Sequence, residues 1–444
     1  MFKTLRNAWS IPDLRRKLLY TLLIIVIYRI GGAIPVPYIN REALQVWADT
    51  ATSSGNFFSY LNVLSGGTFS QATILALSIG PFINAQIIIQ LLTYALPPLE
   101  RMAKEGMEGR KRLNKITKYT ALFIAVFQSW AYYLTLKKQN VLVYAPNTGY
   151  ENFSKSKMFS EIIIIACFTA GASLIIWLGD RINEKGIGNG ISMILFAGIV
   201  ARGPQAVVGL VSYMLTGEVR YLIMVPLILI FFIAMIAFIV FMNNAERRIH
   251  IQYAKRVVGN KMYGGQSSYI PVKICMSGVL PIIFAMAFMS IPQTLELFIA
   301  DPGPGQTGIK WFYHGLLHVF NMNHPVYAIL YFLLIIGFNY FYVAMQYNPV
   351  EIANNLRQSN GAIQGIRPGK PTSDFLQRVI SKITLVGAFF LGLIAIIPIF
   401  FARITGMQLA IGGTSILIVV SVALETVRTM ESQMMMRHHK GFLE

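Results

Sequence analysis

Acidic residues, cysteine and charge of either sign are scarce in this chain. Its 444 residues include only 19 Asp and Glu and two Cys, and charged residues make up 13% of it. A soluble domain carries about 25% charged residues, so a string of soluble domains is excluded. The two cysteines, Cys167 and Cys275, both fall inside apolar stretches. Neither a disulfide framework nor a zinc site can be built from them. No phosphate-binding loop is present, because Gly369-Lys370 is followed by Pro371. The "GIGNG" at 186–190 looks like half of a dinucleotide fingerprint, but no strand precedes it. His-Glu-x-x-His does not occur, and His438 and His439 read as solvated tail residues. No nucleophile–base constellation is found. The chain is therefore expected to be no enzyme and to use neither cofactor nor metal. Any work it does must draw on energy supplied from outside.

What the chain has in abundance is apolar length. It is 55% hydrophobic, with a mean hydropathy of +0.55. A bilayer crossing needs roughly 17–25 mostly apolar residues. Ten stretches satisfy that, near 18–35, 72–96, 118–136, 159–179, 188–210, 221–242, 273–295, 326–347, 380–401 and 411–428. The first is read as a retained span, because a Gly-Pro turn and Arg41 follow it rather than a small-residue cleavage site. The gaps alternate between strongly basic and weakly charged. The termini and every second gap hold 28 of the 38 Lys and Arg, which the positive-inside rule places in the cytoplasm. An even number of spans puts both termini on that side. The expected fold is an all-α, polytopic membrane protein with ten transmembrane helices. Within the spans charge is nearly absent. Arg29 sits near the outer end of the first, placed to snorkel to the headgroups.

Ahead of the second span stands "NFFSYLNVLSGGTFSQA". Residues 57–64 would make a helix of about 12 Å, too short to cross, and Ser65-Gly66-Gly67 reads as a flexible break. On its residues alone this is an interfacial helix on the outer surface. The second span is itself interrupted by Gly80-Pro81 and carries Asn84, Gln86 and Gln90. Such helix is tolerated where it faces protein or a wet cavity. The fifth span opens on the Gly-rich "KGIGNGIS". Broken helices in both halves of a membrane protein point to a central path. Two long cytoplasmic loops, 243–272 and 348–378, present Arg near Gly and Pro turns. The first alternates apolar and polar residues as a hairpin does. One functional class compatible with this is a secondary transporter of small solutes. Against it stands the lack of an ionisable group deep in the membrane.

Five pieces in order make the chain resemble the SecY family, the pore-forming subunits of the bacterial protein-translocation channel. They are "NVLSGGTFSQATILALSIGPFINAQIIIQLL", "LGDRINEKGIGNGISMILFAGIVA", "ERRIHIQYAKR", "GIRPGKPT" with "KITLVGAFFLGLIAIIP", and "GGTSILIVV". The resemblance covers essentially the whole length. It implies two inverted, pseudo-symmetric five-helix halves, here 1–215 and 216–444, although no convincing internal repeat is visible in the residues. It also implies a bacterial plasma membrane location and a channel for unfolded polypeptide that releases hydrophobic segments into lipid.

Carried onto this chain, the family's mid-membrane aliphatic ring falls on Ile79, Ile83, Ile191, Leu195, Ile283 and Ile418. On spacing alone these are ordinary packing residues. The resemblance turns the short helix into a plug, 57–67, comprising Phe57, Phe58, Tyr60, Leu61, Val63, Leu64, Gly66 and Gly67. A lateral gate falls on Ile87, Gln90, Thr93 and Cys275. Many relatives carry Asn where Cys275 stands, and a thiol is a poor hydrogen-bond partner. Leu195 for the commoner Ile and Gly80 for Met are milder departures. The implied docking residues are Arg247, Arg248, Lys255 and Arg256 in the first loop, with Arg367 and Lys370 in the second. The implied partners are SecE and SecG, the SecA ATPase, the ribosome through rRNA phosphates, nascent secretory and membrane chains, and anionic lipids.

Overall fold

The structure is a computed structural model that describes residues 2–53, 62, 65–143, 157–215, 219–253, 256–258, 261–263, 267–296, 325–405 and 413–440. In chain order the helices are α1 (Phe2–Ser10), α2 (Pro12–Gly31), α3 (Arg41–Ser53), α4 (Gly80–Ala95), α5 (Pro97–Lys104), α6 (Met107–Lys138) and α7 (Lys157–Lys185). Then come α8 (Gly190–Val200), α9 (Gly203–Leu215), α10 (Val219–Asn244), α11 (Leu280–Glu296), α12 (Pro325–Gln346), α13 (Pro349–Gln358), α14 (Lys370–Thr405) and α15 (Gly413–Lys440). Every one of the ten expected spans falls on a helix, the fifth on α8 and α9 together. Among the described residues five helices are long and apolar enough to cross a bilayer, and α4 with α5 makes a sixth, bent by 101°. That bend sits at Leu96, whose backbone is extended (φ −112°, ψ 114°) because Pro97 follows it.

Five strands, β1 (Glu246–Tyr253), β2 (Arg256–Val258), β3 (Lys261–Tyr263), β4 (Ser267–Lys273) and β5 (Gly361–Ile363), complete the elements. The expected hairpin in the loop 243–272 is present: β1 and β4 are antiparallel, with Ile249 opposite Ile270. The second loop adds a strand to it. β5 pairs with the other edge of β1, Ile251 opposite Ile363, so the sheet order is β4-β1-β5. The alternation of β1 turns Ile249 and Ile251 inward, onto Leu356 of α13 and Leu376, Val379 and Ile380 of α14. Two loops far apart in the chain are thus one platform seated on helix ends.

The chain divides into two compact units. One comprises Met1–Leu222, Met289–His324 and Gly406–Glu444, the other Ile223–Phe288 and Pro325–Thr405. In the first, α15 joins through apolar contact of Met430 with Ala8, Leu14 and Ile187. Its Thr426 hydroxyl also lies 3.5 Å from the Met193 sulfur of α8.

Each unit contains a copy of one local device. In the first, irregular turns over 74–79 deliver the chain into α4. Ser78 has a positive φ of 49°, Pro81 sits in the first turn, and the Ile79 carbonyl accepts from Phe82 and Ile83 at 3.0 and 3.1 Å. In the second, turns over 276–279 deliver it into α11. Gly278 has a φ of 62°, Pro281 opens the helix, and the Val279 carbonyl accepts from Ile282 and Ile283 at 3.1 and 3.3 Å. Both lead-ins are wedged against a glycine. At Gly171 of α7 a Cβ would overlap the Ile74 carbonyl, and at Gly387 of α14 it would lie 2.5 Å from the Ile274 carbonyl. Proline removes a donor that the first helical turn does not need. Pro81 therefore starts α4 rather than interrupting a longer helix, as the bare sequence suggests.

Candidate functional site

The described ring residues sit at or just inside these helix starts. Ile79 is the N-cap residue of α4 and is buried, and Ile83 is half-buried one turn on. Ile283 has the corresponding place in α11 and is buried. Ile191 and Leu195 lie on α8, whose start is built by side-chain caps. The Asn189 side chain accepts from the Ile191 amide at 3.1 Å, the Asn183 side chain from the Gly190 amide at 2.7 Å, and the Thr21 hydroxyl from the Ile187 amide at 3.1 Å. These contacts give the "GIGNG" turn its role: it is a capping turn of α8. Ile418 is buried on α15, the helix that packs on α8.

Of the plug residues, Phe57, Phe58, Tyr60, Leu61, Val63 and Leu64 lie outside the described residues. Gly66 and Gly67 are described, and they correct the reading of a flexible break. Both have positive φ, 69° and 91°, inside a turn closed by its own hydrogen bonds. The Gly67 amide donates to the Asn62 carbonyl at 2.9 Å, the Thr68 hydroxyl to the Ser65 carbonyl at 2.9 Å, and the Phe69 amide to the Ser65 hydroxyl at 3.1 Å. Tyrosines from two helices, α2 and α6, pin it. The Tyr28 hydroxyl donates to the Ser65 carbonyl at 3.4 Å, and the buried Tyr132 hydroxyl to the Phe69 carbonyl at 2.6 Å. The Phe69 and Tyr132 rings pack against each other at a tilt of 32°, with centroids 4.4 Å apart. Glycine here supplies a left-handed turn in a fixed structure, which composition alone cannot tell from looseness.

Arg29 needs a second correction. Instead of snorkelling to headgroups, its half-buried guanidinium donates to the Ala197 carbonyl and, at 3.1 Å, to the Gly198 carbonyl of α8. The last carbonyls of a helix carry its negative end, and a carbonyl has two lone pairs, so Ala197, which already accepts from the Ala201 amide at 3.2 Å, takes the guanidinium as well. These carbonyls satisfy the charge better than bulk lipid can.

Among the lateral-gate residues, Ile87 is buried, and the Thr93 hydroxyl bonds back to the Ile89 carbonyl at 2.7 Å. The Gln90 Oε1 is buried without a hydrogen-bond partner among the described residues. Cys275 is half-buried with a free thiol. Two residues on, Ser277 hydrogen-bonds the Asn339 side chain of α12, and the Asn339 amide donates to the Thr384 carbonyl of α14 at 3.0 Å. All three are buried. The one mark of this polar junction in the sequence is Asn339 inside the apolar stretch 326–347, and its partners are set by the fold.

On the platform of β4, β1 and β5, Arg247 is exposed at the start of β1. Arg248 is engaged: its Nε donates to Glu246 at 2.8 Å, and its guanidinium lies 4.8 Å from the Tyr269 ring centre. The Glu246 hydrogen bond raises the pKa of an already permanent charge. Arg256 opens β2, and Lys255 lies outside the described residues. Arg367 is exposed on the turn after β5 and Lys370 on the first residue of α14, and the Thr372 hydroxyl donates to the Arg367 carbonyl at 2.8 Å.

Three comparisons bear on this arrangement. The SecY family model matches residues 73–427. A protein translocase subunit SecY of Streptomyces galbus is 39% identical over 448 residues, with both chains covered in full. The solved structure of a protein-conducting channel matches with a TM-score of 0.63 at 20% identity, covering 94% of this chain and 92% of that one. Sec61 in the canine ribosome–channel complex from the endoplasmic reticulum matches with a TM-score of 0.60 at 18% identity, with the same coverage. A family model that matches 73–427 and a full-length relative at 39% identity place this chain, with its apolar helices long enough to span, in the SecY family.

Proposed function

We propose that this chain is the central protein-conducting subunit of a translocation channel in a bacterial plasma membrane, with both termini in the cytoplasm. Unfolded polypeptide passes a constriction of Ile79, Ile83, Ile191, Leu195, Ile283 and Ile418. A narrow aliphatic ring resists ions by dewetting and deforms around a chain. The observation that carries this reading is full-length membership of the SecY family, together with the matched lead-ins that place Ile83 and Ile283 alike. The same match supports the inverted halves, 1–215 and 216–444. The small-solute transporter has no support from the relatives or the fold neighbours.

Hydrophobic segments leave sideways past Ile87, Gln90, Thr93 and Cys275. Each Leu, Ile, Phe or Val gains about 0.3–0.6 kcal/mol at the bilayer centre, so about ten of them shift a closed–open equilibrium substantially. Residues 57–67 plug the outer funnel at rest. Direction comes from a motor, the SecA ATPase or a translating ribosome, on the platform bearing Arg247, Arg248, Lys255, Arg256, Arg367 and Lys370. SecE and SecG complete the channel, and anionic lipid meets the basic cytoplasmic face. The ribosome-bound Sec61 neighbour supports a ribosome at this face. The test is Arg367→Glu in proteoliposomes. Motor-driven translocation should stop while membrane assembly stays normal, and normal transport refutes the docking role.

A further inference from the structure

Arg29 lies where three pieces of the first unit meet. Its own helix, α2, carries Tyr28, which holds the Ser65 carbonyl at 3.4 Å. Its guanidinium binds the Ala197 and Gly198 carbonyls in the last turn of α8. Against that same turn lies Gly66: a Cβ built on it would stand 2.6 Å from the Gly198 carbonyl oxygen and 3.1 Å from the Arg29 Nη2. Gly66 also has a φ of 69°, so only glycine fits without strain. The turn it belongs to runs into Ile79 and Ile83, while α8 carries Ile191 and Leu195. Arg29 thus ties α2, whose Tyr28 holds the Gly66 turn, to the end of α8, and the two arms so joined bear four of the six ring residues.

We propose that Arg29 is the positioning residue of the resting constriction, clamping the Gly66 turn to the C-terminal end of α8 so that both arms keep their closed spacing. A charge in an apolar span is costly, and a helix C-terminus offsets that cost only while the arms stay together. The clamp therefore favours the closed state, and opening requires it to loosen. This rests on the constriction proposed above.

The test uses the complete channel with its small subunits in proteoliposomes, and reads resting ion conductance and export of a substrate with a defective signal. Arg29→Gln should raise resting conductance roughly ten-fold, the factor set by about 1.4 kcal/mol, and should export the defective substrate. Arg29→Lys should restore part of the seal, since an ammonium reaches the same carbonyls without the planar fork. Ile83→Asn serves as the reference. If Ile83→Asn leaks and Arg29→Gln is tight, the clamp is refuted and the constriction stands. If neither leaks, the constriction itself is refuted and the clamp with it. A residue that only stabilised the fold would lower yield and leave the surviving channels tight, with no rescue by Lys. Should Arg29→Gln fail to accumulate, Gly66→Ala decides: it forces the turn off Gly198 with the charge intact, and a tight Gly66→Ala channel overturns the clamp.

Discussion

Ile83 and Ile283 hold the same place in two copies of one turn-and-helix device. Each donates its amide to the carbonyl of the residue four before it, Ile79 or Val279, at 3.1 and 3.3 Å. Each follows a proline in the first helical turn and a positive-φ residue just outside it. Two positions built alike should respond alike.

Ile83→Asn and Ile283→Asn are each expected to raise resting ion conductance, by factors within about three of one another. An amide in a narrow apolar ring wets it. Single-channel recording in planar bilayers checks this, and a leak from one variant with none from the other breaks the equivalence.

Gly171→Ala and Gly387→Ala are expected to destabilise the protein by about 1–3 kcal/mol, the usual cost of forcing atoms into a filled site. At both positions the new methyl meets a backbone carbonyl, of Ile74 or Ile274. Gly337→Ala, where nothing beyond the adjoining backbone of its own helix lies within 4 Å of the new carbon, is the control and should be neutral. Thermal unfolding in detergent measures all three.

Asn339→Leu removes both hydrogen bonds of the buried junction with Ser277 and Thr384. Hydrogen bonds between membrane helices are worth about 0.6–1.7 kcal/mol, so a loss near the upper value is expected. Ser277→Ala should cost less, because Asn339 keeps its bond to Thr384. The order of the two melting temperatures reads this directly.

Arg367→Ala should lower the salt dependence of ribosome binding by about one unit in the slope of log affinity against log salt, as one phosphate contact is lost. Arg248→Ala should change the slope less, since Arg248 is already paired with Glu246 and stacked on Tyr269. Equal slopes for Arg367→Ala and the unaltered chain would remove Arg367 from the interface.

Much of the fold was legible because lipid imposes a plain code. Each of the ten apolar lengths falls on a helix, among them every helix that is long and apolar enough to cross a bilayer among the described residues, and the apolar–polar alternation of the loop 243–272 located the hairpin. What was not legible depended on partners distant in sequence. Ser65-Gly66-Gly67 reads as loose until Tyr28, Tyr132 and the α8 end are seen to hold it. Arg29 reads as a headgroup anchor because its acceptors stand about 170 residues on, at Ala197 and Gly198. β5 is a three-residue strand that only its pairing with β1 defines. The copied lead-ins escaped notice because they share backbone geometry and proline placement, with little identity of side chains.

The most direct measurement is site-specific photo-cross-linking of a stalled secretory chain, with the probe placed in turn at Ile83, Ile283 and Ile230. Ile230 is 69% exposed on α10 and serves as an outward-facing reference. The chain should cross-link strongly from both Ile83 and Ile283 and not from Ile230. Cross-links from Ile230 with none from the two paired isoleucines would contradict a polypeptide path lined by the device they share.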